Sequence, residues 1–184
     1  MIAAALGDSD PGVRMHGLRL SEQVLPDNAE SVRLVARLGM APEARVRLQA
    51  ALTLGESKTT AADSALMELA RRAGREQWMA AAILSGARDR SGRLLAGLLS
   101  GKTVEGGGRE LVGSLAATLG GRRQVSEWTS VLEAVASHDE AVKTACLAGL
   151  STGLARNGGE LSDAESTWPA LSRLIADRSP SIQR

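Results

Sequence analysis

The chain repeats a pattern with a period of roughly 32 residues, a length typical of two-helix repeat units. A large apolar anchor near the start of a helix-like stretch recurs at Val13, Val46, Trp78, Leu111 and Val142. Four positions further on stand Gly17, Ala50, Ala82, Leu115 and Cys146, four of the five being small. Residues i and i+4 lie on one face of a helix, so a small residue there lets a neighbouring helix approach. Each period holds two such stretches. A two-helix unit of this length cannot bury its apolar face alone and must stack on its neighbours. The pattern therefore predicts an all-α chain of about five helix pairs wound as a right-handed α-α superhelix.

The start of the unit is clearest at Asp8-Ser9-Asp10-Pro11-Gly12-Val13-Arg14. Pro11 suits a first helical turn, where a missing N–H is harmless. Asp177-Arg178-Ser179-Pro180-Ser181-Ile182-Gln183 echoes this wording near the other end, and Met1 to Leu6 matches the residues just before that echo. No polar capping repeat is recognisable at either end. The expectation is one repeat domain over residues 1–184, cut from a longer array.

Local signals divide the periods. Helices are expected from about Pro11 to Leu25, through Val32, Val35 and Leu38, from the Pro42–Arg47 start to Leu54, from Thr60 to about Ala73, through Trp78 to about Ala87, through Leu94–Leu99, from Leu111 to about Leu119, over Val125–Ala136, and from the Ser137 cap through Val142 to about Leu154. A last helix starts either at Ser162 or near Thr167. Gly39, Gly55 and the Gly120-Gly121 pair read as C-terminal stops. Ser137 with Glu140 reads as a capping box, and Thr60 with Asp63 as a helix start. Ser100 to Gly108, with three consecutive glycines, reads as a mobile loop.

Composition supports the helical reading. Phe and Tyr are absent and three Trp are the only aromatics, which is poor material for a sheet. The apolar residues are mostly Ala, Leu and Val, suited to closely approaching helices. The net charge is +1 with the two signs interspersed, so no overall field favours nucleic acid or an anionic membrane. No apolar run nears the roughly 18 residues of a membrane span. The N-terminus lacks the basic start and apolar core of a signal peptide. A single cysteine, Cys146, cannot form an intramolecular disulfide or a cysteine zinc cluster.

The motif Asp-x-x-x-x-Val-Arg at the start of a unit's second helix is characteristic of HEAT repeats, and Asp8 to Arg14 resembles it. Val46-Arg47 fits with its acid displaced, and Asp139 to Lys143 keeps an acid and a base. The Trp78 and Leu111 units depart from it. Tetratricopeptide repeats need Tyr and Phe positions that this chain leaves empty, and the ankyrin Thr-Pro-Leu-His is absent. The wording of Asp10 to Leu25, followed by Ala44 to Glu56, is also similar to the HEAT segment of large bacterial multidomain proteins of the membrane-bound dehydrogenase type. That resemblance implies an array joining a propeller dehydrogenase to a haem-binding cytochrome module, in an exported or periplasmic parent. This chain has no Cys-x-x-Cys-His, so the resemblance implies a spacer without cofactor.

Candidate sites are few. Arg14, Arg47 and Lys143 each follow an anchor by one residue. They form either a ladder of ion pairs with acids at neighbouring helix starts or a basic stripe for an acidic partner, and the ladder is favoured. Arg71, Arg72, Arg75, Arg88, Arg90, Arg93, Arg122 and Arg123 cluster near helix ends. Ala96 to Thr103 matches a loose phosphate-binding loop, but a helix rather than a strand precedes it. Trp78, Trp128 and Trp168 invite comparison with HEAT-like DNA glycosylases, which would require a basic groove. Cys146 stands at a packing position and reads as an inert thiol. His16 and His138 show no metal-ligand spacing, and His138 reads as part of a helix cap. The sequence thus points to a scaffold for a protein partner or for flanking domains, without membrane insertion; the rival is a nucleic-acid-binding or base-excising protein.

Overall fold

The computed structural model describes residues 1–25, 29–73, 76–101, 104, 107–122, 125–156, 158, 169 and 172. It is all-α, with 81% helix. Among the described residues ten α-helices follow one another: α1 Ile2–Leu6, α2 Pro11–Ser21, α3 Ala29–Leu38, α4 Ala44–Glu56, α5 Thr60–Ala73, α6 Gln77–Ser85, α7 Ser91–Leu99, α8 Gly107–Arg122, α9 Trp128–Val135 and α10 Glu140–Arg156. Short 3-10 turns at Arg88–Arg90 and Val125–Glu127 lead into α7 and α9.

The chain divides into two compact units, Met1–Gly86 and Ala87–Arg184. In the first, α1, α3 and α5 touch in succession and form one layer. Helices α2, α4 and α6 form a second layer, each packed on the helix before it in that layer. Leu18, Leu25, Val35, Leu54, Leu66 and Leu69 fill the space between. In the second unit α7 packs on α8 and α9, and α10 lies along α8. Its core is Leu94, Leu95, Leu111, Leu115, Trp128, Val131, Leu132 and Val135.

The helix starts follow from local chemistry. Asp10 is the N-cap of α2, and its carboxylate accepts from the backbone N–H of Gly12 (2.7 Å) and of Val13 (3.0 Å). These are two of the four amides a helix leaves orphaned at its start. The α5 start is capped by Thr59, whose hydroxyl accepts from the Ala62 N–H at 3.2 Å. The expected 137–140 capping box is corrected: Asp139 caps α10 through the Val142 N–H at 2.9 Å, while the Ser137 hydroxyl turns back to the Ala134 carbonyl. An aspartate two positions nearer the helix than Ser137 outcompetes the serine.

Two further sequence expectations shift. Glu43 and Glu76 are the N-caps of α4 and α6, so the position three past the cap is Val46 in one and Met79 in the other. Met79 is fully buried, whereas Trp78 is 38% exposed. The larger side chain had drawn the anchor one position out of register. Gly39 follows the last residue of α3 as expected, but the other glycine stops are corrected: α4 runs through Gly55 and α8 through Gly120 and Gly121. Along α8 and α10 glycines admit a neighbouring backbone. An added Cβ at Gly120 would collide with the Leu150 carbonyl, one at Gly149 with the Gly113 carbonyl, and one at Gly153 with the Ala117 carbonyl. The α2 helix stops at Ser21, short of the expected 25. Of the expected loop, Gly107 and Gly108 belong to α8. The last expected helix and the echo at Asp177 to Gln183 lie outside the described residues.

Candidate functional site

The candidate site is the charged joint between successive helices of the second layer of the first unit. Arg14 lies in the first turn of α2, four positions past its N-cap. Its Nη1 donates to the carbonyls of Asp8 (2.9 Å) and Ser9 (3.0 Å), in the turn that leads into the same helix. Its Nη2 lies 2.7 Å from Oε2 of Glu43, the N-cap of α4. That last contact is an ion pair whose angle is too oblique for an aligned hydrogen bond.

One period later the arrangement recurs residue for residue, with an aligned hydrogen bond where the first copy has an oblique ion pair. Arg47 Nη1 donates to the carbonyls of Ala41 (3.0 Å) and Pro42 (2.8 Å), and Nη2 donates to Glu76, the N-cap of α6, at 3.1 Å. One guanidinium thus closes its own turn and holds the start of the next helix. Its fork of donors suits that double duty, which a lysine ammonium could not reproduce. The acid also sits at a positive helix terminus, where a carboxylate is favoured. Glu43 accordingly ionises below the ordinary carboxylate range, held there by its own backbone N–H and by the Arg14 guanidinium, with Arg47 adding to the effect.

A second contact joins α2 and α4 further along. Arg19 Nε donates to Gln49 Oε1 at 3.1 Å, and Gln49 Nε2 donates to Glu22 Oε1 at 3.3 Å. The buried Thr53 hydroxyl donates to the same Glu22 oxygen at 2.9 Å. The flank of α4 that carries Gln49 and Thr53 therefore faces α2.

Lys143, the third cation read from the sequence, lies in the first turn of α10, where its backbone N–H bonds the Asp139 carbonyl. The acid of that helix start is instead met by Arg109, whose Nη2 lies 3.2 Å from Asp139 Oδ2. Both side chains are about half exposed. The Val142 N–H and then Arg109 hold the Asp139 carboxyl below its usual range. Sequence reading passed over Arg109. Its signal was the spacing: the interval from Arg109 to the acid at Asp139 nearly equals that from Arg47 to Glu76.

The other candidates separate. Trp128 is buried in the core, Trp78 is partly exposed on α6, and Trp168 lies outside the described residues. Cys146 is fully buried, and burial pushes its thiol up to about 12, which suppresses the reactive thiolate. His138 is buried with Nε2 2.7 Å from the Leu99 carbonyl. A carbonyl only accepts, so Nε2 carries the proton, and the ring caps the C-terminal end of α7 rather than the start of α10. His16 is exposed on α2. Residues 96–99 of the phosphate-loop match form the last turn of α7, and Lys102 and Thr103 lie outside the described residues. Arg71 and Arg72 pair with Glu68, and Arg122 pairs with Glu127. Arg88 and Arg93 are exposed and Arg90 is buried; Arg75 and Arg123 lie outside the described residues.

Among the described residues no three His, Cys, Asp or Glu side chains gather as metal ligands would, and no helix is long and apolar enough to cross a membrane. No protein-family profile matches the chain, and no curated protein matches it.

Proposed function

We propose that this protein is a non-catalytic scaffold of the HEAT type, a right-handed superhelix of helix pairs that binds a protein partner or holds flanking domains in place. The observation that carries the reading is the duplicated joint: Arg14 and Arg47 make the same three contacts, one period apart, in a two-layer stack. A joint that repeats by translation is the mark of a one-dimensional array, in which each unit stabilises only its neighbours. The buried thiol and the buried Trp128 supply core rather than chemistry. On the dehydrogenase resemblance, the array is a spacer whose parent does the redox work elsewhere.

Small-angle scattering tests the architecture. The proposal expects a curved, elongated particle, and a profile of a compact sphere overturns it. A reading as a base-excising protein would require binding to damaged duplex DNA at low salt, measured by fluorescence anisotropy; the scaffold reading expects none.

A further inference from the structure

The turn that closes α3 places a sulfur against a cation of α5. The Met40 N–H donates to the Arg37 carbonyl at 3.1 Å. The preceding Gly39 is buried against α5, where an added Cβ would lie 2.8 Å from a methyl of Leu69. The Met40 side chain thereby meets the last turn of α5, and Arg72 Nη1 donates to Met40 Sδ at 3.7 Å. Nε of the same guanidinium donates to Glu68 Oε1, one turn back on α5. The carboxylate holds the guanidinium, and the guanidinium reaches across to the sulfur. A thioether is a weak acceptor, so the sulfur is the weak link of this tie. It is also the accessible one, Met40 being 42% exposed. Apart from Met1, the other methionines are less open: Met79 is fully buried, and Met15 and Met67 are partly buried.

We propose that Met40 is a reversible oxidation site, and that its sulfoxide strengthens the tie between the end of α3 and the end of α5. The oxidant is a hydroperoxide. A sulfur lone pair attacks the outer peroxide oxygen, so that an S–O bond forms as the O–O bond breaks. The proton on the transferred oxygen passes to the departing oxygen; with hydrogen peroxide, water leaves. The sulfur gives up two electrons and the peroxide takes them. The sulfoxide oxygen is a far better acceptor than the thioether, and a hydrogen bond to a charged donor is among the stronger kinds. The flexible methionine side chain lets that oxygen turn to the Arg72 guanidinium. In an apolar core the same polar product disrupts packing. Here a cation already fixed by Glu68 receives it. Methionine sulfoxide reductases return the thioether and with it the weaker contact.

The test treats the full chain with dilute hydrogen peroxide, maps the product by peptide mass spectrometry and unfolds both forms in urea. Met40 should become the sulfoxide together with Met1, well before Met15, Met67 and Met79. Oxidation should raise the folding equilibrium constant about threefold, the size expected of an exposed charge-assisted contact. Treated in the same way, Met40→Leu and Arg72→Ala should show no rise; Met40→Leu controls for the oxidation of Met1. The Arg72 guanidinium protons should exchange more slowly with water in the oxidised protein, by NMR. Both reductase types together, one for each sulfoxide epimer, should restore the untreated value. A Met40 that stays reduced while Met15 or Met67 reacts would overturn the proposal. So would a loss of stability on oxidation, or a rise of the same size in Arg72→Ala. The scaffold reading is tested separately by scattering and stands or falls apart from these results.

Discussion

The two compact units solve one problem, laying one helix against the next, by different means. In the first unit the second-layer helices are joined by side chains: Arg14 to Glu43, Arg47 to Glu76, and the Arg19–Gln49–Glu22–Thr53 cluster. In the second unit α8 and α10 meet backbone to backbone, with Gly120, Gly149 and Gly153 each pressed against a carbonyl of the facing helix. Charged side chains set register at a distance and tolerate adjustment. Backbone contact removes that freedom, because nothing lies between the two helices to repack.

The sharpest way to break the contrast is to add a methyl group where the backbones touch. Gly153→Ala should cost about 3 kcal/mol or more, since a carbonyl cannot yield as a side chain can. Gly113→Ala, whose Cβ would meet the Ala145 carbonyl at 3.4 Å, should cost well under about 1 kcal/mol. Chemical denaturation of the two variants compares them directly, and equal losses would remove the backbone-contact argument. In the first unit, Val46→Ala should cost about 2 kcal/mol and Val13→Ala less than about 0.5 kcal/mol, because only Val46 is buried. Equal losses would deny the register drawn between α2 and α4.

Smaller effects are expected at the charged joint. Arg47→Ala should lower stability by about 1 kcal/mol, the guanidinium being partly exposed. Part of that loss should disappear at about 1 M salt, whereas the Gly153→Ala loss should not change. Acid should act in the same place. Glu43 and Asp139 have folded-state carboxyls below their ordinary values, so they contribute stability above about pH 4 and lose it as pH falls through the folded values. Hydrogen-exchange protection, corrected for the intrinsic slowing of exchange in acid, should fall at the first turns of α4 and α10 on acidification before it does in the α8 and α10 interiors. The smallest effect concerns Cys146: an alkylating reagent at mildly alkaline pH should leave it unmodified until the protein unfolds, as its burial requires.

Much of the helical order was legible because apolar spacing reports directly on which face is buried. The expected helix over 125–136 buries Val131, Leu132 and Val135, and the one around 94–99 buries Leu94, Leu95, Leu98 and Leu99. The errors fall where one residue type has two physical uses. Glycine ends helices and also lets them touch, and nothing near Gly120 in sequence reveals that Leu150 will lie against it. Tryptophan is the largest apolar residue, yet a neighbour of moderate size, Met79, takes the buried position set by the Glu76 cap. The ion-pair ladder was legible for Arg14 and Arg47, since both stand in a near-identical context. Arg109 stands in a different context before Leu111, and only the position of the Asp139 cap, fixed by folding, brings it into play.

The two bonds that Arg14 and Arg47 send to main-chain carbonyls have a consequence for how such a chain can drift. Asp8-Ser9 and Ala41-Pro42 share no amino acid, yet each pair presents the same two oxygens to the same guanidinium. The connecting turn is constrained in length and free in wording. Substitutions there are silent to the joint, whereas deleting a single position would move both acceptors out of reach. Units of this kind can diverge until little more than their spacing is inherited.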